Sequence, residues 1–123
     1  MAKILLIEDQ RFISQIFTIV LKSAGHVVIP ASTAAAGASL FQSEQPDVVL
    51  TDVALPDGCG LALMRKIRET HTVPFVVFTA GGSNADGDYL AQAREGGAIA
   101  AFQKPVAPDA LLAAVDQALK RVA

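Results

Sequence analysis

The sequence predicts an α/β fold, a doubly wound (βα)5 sandwich in which one five-stranded parallel sheet carries helices on both faces. Three observations predict this class. Short aliphatic runs alternate with longer segments of helical periodicity, the alternation occurs five times, and 52% of the 123 residues are apolar, which suits one buried core. Unbroken aliphatic runs are typical of parallel strands that are buried on both faces of the sheet.

Each predicted element has its own local signal. Asp9 is expected to cap the first helix and Gly25 to end it. The interval Leu55–Gly60 is expected to be a loop, since a proline and two glycines interrupt it. Pro108 and Asp109 are typical of the start of a helix and predict where the last one begins. The predicted strands are Lys3–Ile7, Val27–Ile29, Val48–Leu50, Pro74–Phe78 and Ile99–Phe102. The predicted helices are Gln10–Ala24, Thr33–Gln42, Leu61–Glu69, Asp88–Arg94 and Pro108–Val122.

Composition and charge exclude several classes of protein. Ten basic and twelve acidic residues give a formal net charge of −2, and no Lys/Arg cluster exists beyond Lys120-Arg121, so direct binding to nucleic acid is not expected. The single cysteine, Cys59, excludes an internal disulfide framework. The apolar run at residues 4–7 is too short for a signal peptide or a membrane span. We therefore expect one soluble, cytoplasmic domain over residues 1–123, without a membrane partner.

Polar or ionisable residues that could bind a ligand or take part in a reaction follow four of the five predicted strands. Glu8 and Asp9 follow the first strand, Asp52 the third, Thr79 the fourth and Lys104 the fifth. Ligands of doubly wound sheets bind at the carboxyl ends of the strands, so these side chains are expected to converge at one rim. Carboxylates are ligands that suit a hard cation such as Mg²⁺. Beside such a cation, a carboxylate can act as a nucleophile toward a phosphoryl group.

In type and order, these residues resemble the receiver domains of bacterial two-component response regulators. The resemblance runs nearly from end to end of the chain. It implies the sheet order 2-1-3-4-5 and a phosphorylation-controlled signalling switch rather than an enzyme, with self-dephosphorylation as its one possible catalytic property. The residues that carry the resemblance are Glu8-Asp9, Asp52, Leu55-Pro56, Gly60, Thr79-Ala80 and Lys104-Pro105.

The resemblance also implies a role for each acidic residue of the rim. Asp52 is the expected phosphoacceptor. Asp9 and Asp52 are expected to bind Mg²⁺ directly, together with the backbone carbonyl of Ala54, while Glu8 acts through a bound water. The implied phosphodonor is a histidine kinase or a histidine phosphotransfer protein, and the output partner is not identified by the sequence.

The remaining site residues are expected to contact the phosphoryl group. Thr79 would donate a hydrogen bond to its oxygens, and Lys104 would pair first with Asp52 and then with the phosphate. In the family, Pro105 usually follows a cis peptide bond that aims the lysine side chain.

Two features depart from the family pattern. Ala101 stands where the family usually has an aromatic switch residue, and period-two alternation places the neighbouring Phe102 on the opposite face of the strand. The interval between Thr79 and Lys104 is also longer than usual, with the excess in the glycine-rich residues 81–87, which we expect to be mobile. We therefore expect the signal to pass through Thr79 and this loop instead of through an aromatic rotamer. The expected switch and loop residues are Ala80, Gly81, Gly82, Ala101, Phe102 and Pro105.

The first helix presents a second group of apolar residues beside its predicted core stripe. That stripe comprises Ile13, Ile16, Phe17, Val20 and Leu21. Phe12 and Ile19 lie seven residues apart on a neighbouring face. Isolated exposed apolar residues are common on protein surfaces. The alternative hypothesis is that Phe12 and Ile19 dock an amphipathic helix of the phosphodonor.

Two other functions remain as alternatives. A Mg²⁺-dependent phosphatase that forms an aspartyl phosphate usually has a second aspartate two positions after the nucleophile, where this chain has Ala54. A degenerate receiver would serve only as a binding module, but the complete set of acidic, hydroxyl and lysine residues argues against that reading.

Overall fold

The computed structural model describes residues 2–79, 83–84 and 87–122 and contains the predicted five-stranded parallel sheet. The strands of this sheet are β1 (Lys3–Ile7), β2 (Val27–Ala31), β3 (Val48–Asp52), β4 (Phe75–Thr79) and β5 (Ala100–Gln103). The helices are α1 (Arg11–Ser23), α2 (Ala34–Glu44), α3 (Gly60–Arg68), α4 (Tyr89–Glu95) and α5 (Pro108–Val122). The type and order of all ten predicted elements are confirmed.

The strand order is β2-β1-β3-β4-β5, with every neighbouring pair parallel, as the resemblance implies. The chain reverses its direction across the sheet between β1 and β3, so the carboxyl ends of these two strands lie side by side. Their register pairs Ile7 with Thr51. The residues that follow this pair, Glu8 and Asp52, are therefore neighbours at the switch point.

The sheet separates two apolar cores. The α2, α3 and α4 side buries Leu5, Val49 and Val77, whereas the α1 and α5 side buries Leu6, Leu50 and Phe78. This division follows from strand geometry, because successive side chains point to opposite faces. All residues of β3 and β4 are buried, which accounts for their nearly continuous apolar sequences.

The sequence predicts the C-terminal end of α1 correctly but not its N-terminal cap. Asp9 is not the cap: Gln10 occupies the N-cap position, and it forms no side-chain cap hydrogen bond. Asp9 instead lies in the acidic cluster at the end of β1. The prediction for the other end is confirmed, since the helix ends before Gly25, which has a φ of 92°. That left-handed conformation carries little steric cost for glycine.

The prediction that Leu55–Gly60 forms only a loop is wrong. Ala54–Leu55 pairs antiparallel with Gly58–Cys59 as a short hairpin, and Gly60 is already the first residue of α3. Pro56 and Asp57 form the tight turn between the two short strands, so the same residues that signal a loop in fact close a hairpin. We call residues 54–59 the β3–α3 hairpin.

The core stripe of α1 is narrower than predicted. Phe17 and Leu21 are buried and Ile13 and Val20 are partly buried, but Ile16 is 40% exposed. Ile16 precedes Phe17 by one residue and therefore lies about 100° around the helix from it. Among the described residues, no helix is both long enough and apolar enough to cross a membrane.

Candidate functional site

Three carboxylates meet at the switch point of the sheet. Glu8, Asp9 and Asp52 each place a carboxylate oxygen within 4.8 Å of the others. Glu8 and Asp52 are buried, while Asp9 is exposed, so the cluster is open to solvent on one side. Oxygen donors in a partly open cluster fit a hard divalent cation that retains some of its waters. The donor set present is therefore compatible with Mg²⁺.

Lys104 connects two of these carboxylates. Its Nζ lies 2.7 Å from Asp52 Oδ2 and also donates to Glu8 Oε1. Burial alone would lower the pKa of Lys104, but the hydrogen bonds to Asp52 and Glu8, together with the negative charges of these two carboxylates, raise this pKa above its ordinary value. Lys104 therefore remains an ammonium over the whole neutral range.

Glu8 is in a different electrostatic situation from Lys104. Burial, with a smaller contribution from the charge of Asp52, raises the pKa of Glu8, although hydrogen bonds from Lys104 and the Gln10 N–H oppose the rise. Both carboxylate oxygens are engaged, since Oε1 accepts from Lys104 and Oε2 from the Gln10 N–H at 3.2 Å. This arrangement suits the indirect role expected for Glu8 at a metal site.

Thr79 and Lys104 lie at the carboxyl ends of two adjacent strands, Thr79 as the last residue of β4 and Lys104 directly after β5. Thr79 is buried as the last residue of β4, and its carbonyl accepts a hydrogen bond of 2.9 Å from the Lys104 N–H. The Lys104–Pro105 peptide bond is cis, as the resemblance implies. The structure thus brings Thr79 and the Lys104 ammonium to the same rim as the carboxylates.

The pairing register between β5 and β4 determines the face of the sheet on which Phe102 lies. Ala101 pairs with Val77 and Phe102 with Phe78, in a regular parallel ladder without a bulge. Ala101 belongs to the core under α2, α3 and α4, whereas Phe102 packs on the opposite core. Phe102 and Ala101 therefore lie on opposite faces of the sheet, which confirms the prediction from period-two alternation.

Some of the predicted switch and loop residues are not among the residues that the structure describes. Ala80, Gly81 and Gly82 lie outside the described residues, and so does the expected mobility of most of the loop. Within that loop, Ser83–Asn84 pairs antiparallel with Gly87–Asp88.

Gly60 approaches the phosphoacceptor candidate more closely than any side chain would allow. A Cβ atom at this position would lie 1.9 Å from the backbone oxygen of Asp52 and 2.8 Å from Thr51 Oγ1. The Gly60 N–H also donates to the Val53 carbonyl at 2.7 Å. The sequence indicated that Gly60 belongs to the family pattern and that glycine gives the backbone freedom beside Asp52, and the close contact gives the physical reason for glycine at this position.

The surface of α1 next to the cluster is apolar. Phe12 is 72% exposed and Ile19 68% exposed, and the exposed Ile16 lies between them on the same face. We call these three residues the α1 ridge. Beside it, a groove of about 370 Å³ extends toward Lys104 and is lined by Gln10, Ile13, Ile16, Phe17, Lys104, Pro105 and Val106.

Comparison with known proteins identifies the family. The sequence model of the response regulator receiver domain matches residues 4–116. With the fold and the acidic cluster already established, this match defines the class of protein as a receiver domain. The chain belongs to the response regulator receiver domain family, whose members function in two-component systems.

Solved structures and described relatives agree with this assignment. A response regulator receiver domain protein from Clostridium thermocellum superimposes with a TM-score of 0.88 at 30% identity, covering 99% of this chain and 97% of that one. The BeF3-activated N-terminal receiver domain of Klebsiella pneumoniae RstA gives a TM-score of 0.86 at 26% identity, covering 96% and 98%. The KDP operon transcriptional regulatory protein KdpE of Escherichia coli is 30% identical over 121 residues, covering 98% of this chain and 52% of the relative.

The comparisons also limit what is known of partners. The chain spans about half the length, or less, of the curated relatives it matches. Several of those relatives are transcriptional regulators, so the expectation that nucleic acid is not a partner finds no support. Receiver domains are generally phosphoacceptor signalling domains rather than classical enzymes, and they bind Mg²⁺ at an acidic cluster such as the one formed here.

Proposed function

We propose that residues 1–123 act as one cytoplasmic receiver domain that is switched by phosphorylation of Asp52. The donor would be the phosphohistidine of a histidine kinase or a histidine phosphotransfer protein, and phosphorylation would change affinity for an output partner. The observation that carries this proposal is the contact of 2.7 Å between Lys104 Nζ and Asp52 Oδ2 within the acidic cluster. It couples a carboxylate nucleophile to a cation that can follow the incoming negative charge.

The residues that would hold Mg²⁺ are Asp9 and Asp52, with the backbone carbonyl of Ala54 as a third ligand and Glu8 acting through water. When bound, Mg²⁺ neutralises charge on the phosphoryl oxygens. Asp9 is the exposed member of the cluster, so it offers the side from which a hydrated cation can approach.

The protein's own groups would carry the transfer. A carboxylate oxygen of Asp52 forms a bond to phosphorus while the bond from phosphorus to the donor histidine nitrogen breaks, and its electron pair stays on that nitrogen. Lys104 would then exchange its contact with Asp52 Oδ2 for a phosphoryl oxygen. The Thr79 hydroxyl would donate a hydrogen bond to another oxygen, since Thr79 ends the strand adjacent to β3.

The same site could in principle support a phosphatase, but the residues favour the switch. Ala54 occupies the position where such an enzyme usually has its general acid. Membership of the receiver family also favours a phosphoacceptor over an enzyme or a degenerate binding module.

The test is the Asp52→Asn variant with a small-molecule phosphodonor, followed by intact mass at low pH, where aspartyl phosphates survive. We expect the wild type to gain one base-labile phosphoryl group with Mg²⁺ and none with a chelator, and Asp52→Asn to gain none. Asp116→Asn, an exposed aspartate of α5, is the matched control and should label like the wild type. Equal labelling of Asp52→Asn and the wild type would refute the assignment.

A further inference from the structure

The β3–α3 hairpin carries Ala54, the residue whose carbonyl is the proposed third metal ligand. Ala54 pairs with Cys59 and Leu55 with Gly58. The side chain of Leu55 is buried in the core under α2 and α3, whereas Ala54 is exposed. The tip of the hairpin, at Pro56 and Asp57, is also exposed. The position of this exposed tip therefore depends on its contacts with neighbouring elements of the fold.

Asp57 supplies such a contact to the start of α2. Its Oδ1 accepts a hydrogen bond of 2.7 Å from the Ala34 N–H, and its Oδ2 accepts one of 3.0 Å from the Ala35 N–H. These are the first two residues of α2, more than twenty positions away in the sequence. The first N–H groups of a helix lack partners within the helix, and its positive end favours a carboxylate.

A second side chain caps the same helix independently of the hairpin. Thr33 Oγ1 accepts a hydrogen bond of 3.0 Å from the Ala36 N–H. Thr33 and Asp57 therefore perform the same task for α2, but only Asp57 also connects α2 to the β3–α3 hairpin. This difference separates helix capping from hairpin positioning.

We propose that Asp57 is a positioning residue for the Mg²⁺ site, because its two hydrogen bonds fix the hairpin that carries the Ala54 carbonyl beside Asp52. The inference rests on the proposed function, since Ala54 is a ligand only in that proposal. Asp57 itself does not belong to the acidic cluster formed by Glu8, Asp9 and Asp52. Both of its carboxylate oxygens already accept backbone hydrogen bonds from α2.

The experiment compares Asp57→Ala with Thr33→Ala. The dissociation constant for Mg²⁺ is measured by titration calorimetry, and the melting temperature is measured without metal. We expect both variants to melt at lower temperature, since each removes cap acceptors from α2. Only Asp57→Ala should weaken Mg²⁺ binding, by about tenfold, which is the lower end of the effect of losing a group that orients a metal ligand.

Asp57→Asn provides the rescue. Its single amide oxygen can accept one of the two N–H groups, so its Mg²⁺ affinity should lie between those of the wild type and Asp57→Ala. If Asp57→Ala does not fold, the comparison of Asp57→Asn with Thr33→Ala decides the question. Wild-type Mg²⁺ affinity in the Asp57 variants, or equal weakening by Thr33→Ala, would overturn the inference. A wild type that binds no Mg²⁺ would instead overturn the proposed function, and this inference with it.

Discussion

Gly60 restricts the phosphoacceptor candidate although it has no side chain. The space for a Cβ atom is already occupied by the backbone oxygen of Asp52 and by Thr51 Oγ1. Because Gly60 also donates to the Val53 carbonyl, α3 begins in direct contact with the end of β3. A substitution here must move either the helix or the backbone of Asp52.

We expect Gly60→Ala to lower the free energy of unfolding by about 2 kcal/mol or more, as overpacking of a close contact does. Urea denaturation measures this loss. Gly58→Ala is the control, because a Cβ atom there would have its nearest contact, Ala34 Cβ, at an ordinary 3.7 Å. Equal stability of the two variants would show that the Asp52 backbone moves aside without cost.

Asp57 is expected to make the stability of the folded chain depend on pH, and its hydrogen bonds determine the direction of this dependence. The N–H groups of Ala34 and Ala35 lower the pKa of Asp57 below its ordinary value of 3.8. The folded chain thus favours the ionised carboxylate, so this stabilisation is present above pH 3.8 and is lost as the pH falls through the lowered pKa.

The difference in melting temperature between the wild type and Asp57→Asn should therefore be largest near neutral pH. It should shrink as the pH falls below 3.8, because the wild-type carboxylate then becomes protonated. Thermal denaturation over a pH series measures the difference. A difference that stays constant down to pH 2 would contradict the role of the charged carboxylate.

Residues of the site could be predicted where local pattern and fold together determine their place. Glu8, Asp52 and Lys104 follow predicted strands in the sequence, and the carboxyl ends of parallel strands meet at one rim. Asp57 could not be found in this way. Its sequence context indicates only a turn, and its partners in α2 are brought near by the tertiary fold.

At the scale of elements, α1 has two apolar faces, one buried and one exposed. Phe17 and Leu21 attach it to the sheet, while the α1 ridge of Phe12, Ile16 and Ile19 remains exposed beside the groove that leads to Lys104. An amphipathic helix of a phosphodonor placed on this ridge would bring its histidine close to the acidic cluster. We propose this surface as the docking site of the donor.

Phe12→Ser should then slow phosphotransfer from a histidine kinase that phosphorylates the wild type, by about tenfold, which corresponds to about 1.4 kcal/mol of lost binding. Labelling by a small-molecule donor should not change. Val27→Ser is the control, since Val27 is an exposed apolar residue of β2, outside the ridge. Slower labelling with both donors would indicate damage to α1 instead of lost docking.

Element boundaries show what the sequence could not determine. Strands β2, β3 and β4 extend past their predicted ends to Ala31, Asp52 and Thr79, because polar and proline residues continue the ladder once neighbouring strands supply partners. The β3–α3 hairpin was missed for a related reason. Two-residue strands have no periodicity, so only the folded structure reveals their pairing.

At the scale of the whole molecule, the proposed signal has to leave the site on one face of the sheet. Thr79 and Ala101 alternate with residues of the α1 and α5 core and therefore share the face covered by α2, α3 and α4. Phe102 packs on the other face. We therefore propose that movement of Thr79 toward the phosphoryl group is transmitted to α4, with no ring at position 101 to follow it.

Amide hydrogen exchange with and without a beryllofluoride mimic of the phosphoryl group tests this route. We expect the largest change in protection in α4 (Tyr89–Glu95), and little change at Phe102. An Asp52→Asn variant treated in the same way is the control for effects of the mimic elsewhere. A change at Phe102 without any in α4 would show that the signal leaves through the opposite core.

The division of the interior into two cores has a consequence for how such a chain can diversify. Helix α1, which carries the exposed α1 ridge, packs on one core and α4 packs on the other, with the fully buried strands β3 and β4 between them. The free-energy effects of substitutions at distant sites without shared partners are nearly additive. Substitutions that change donor specificity therefore need no compensating substitutions in the residues that transmit the response. Input and output specificity can therefore evolve as separable traits, and chimaeras that exchange α1 alone should inherit a new donor while keeping the original response.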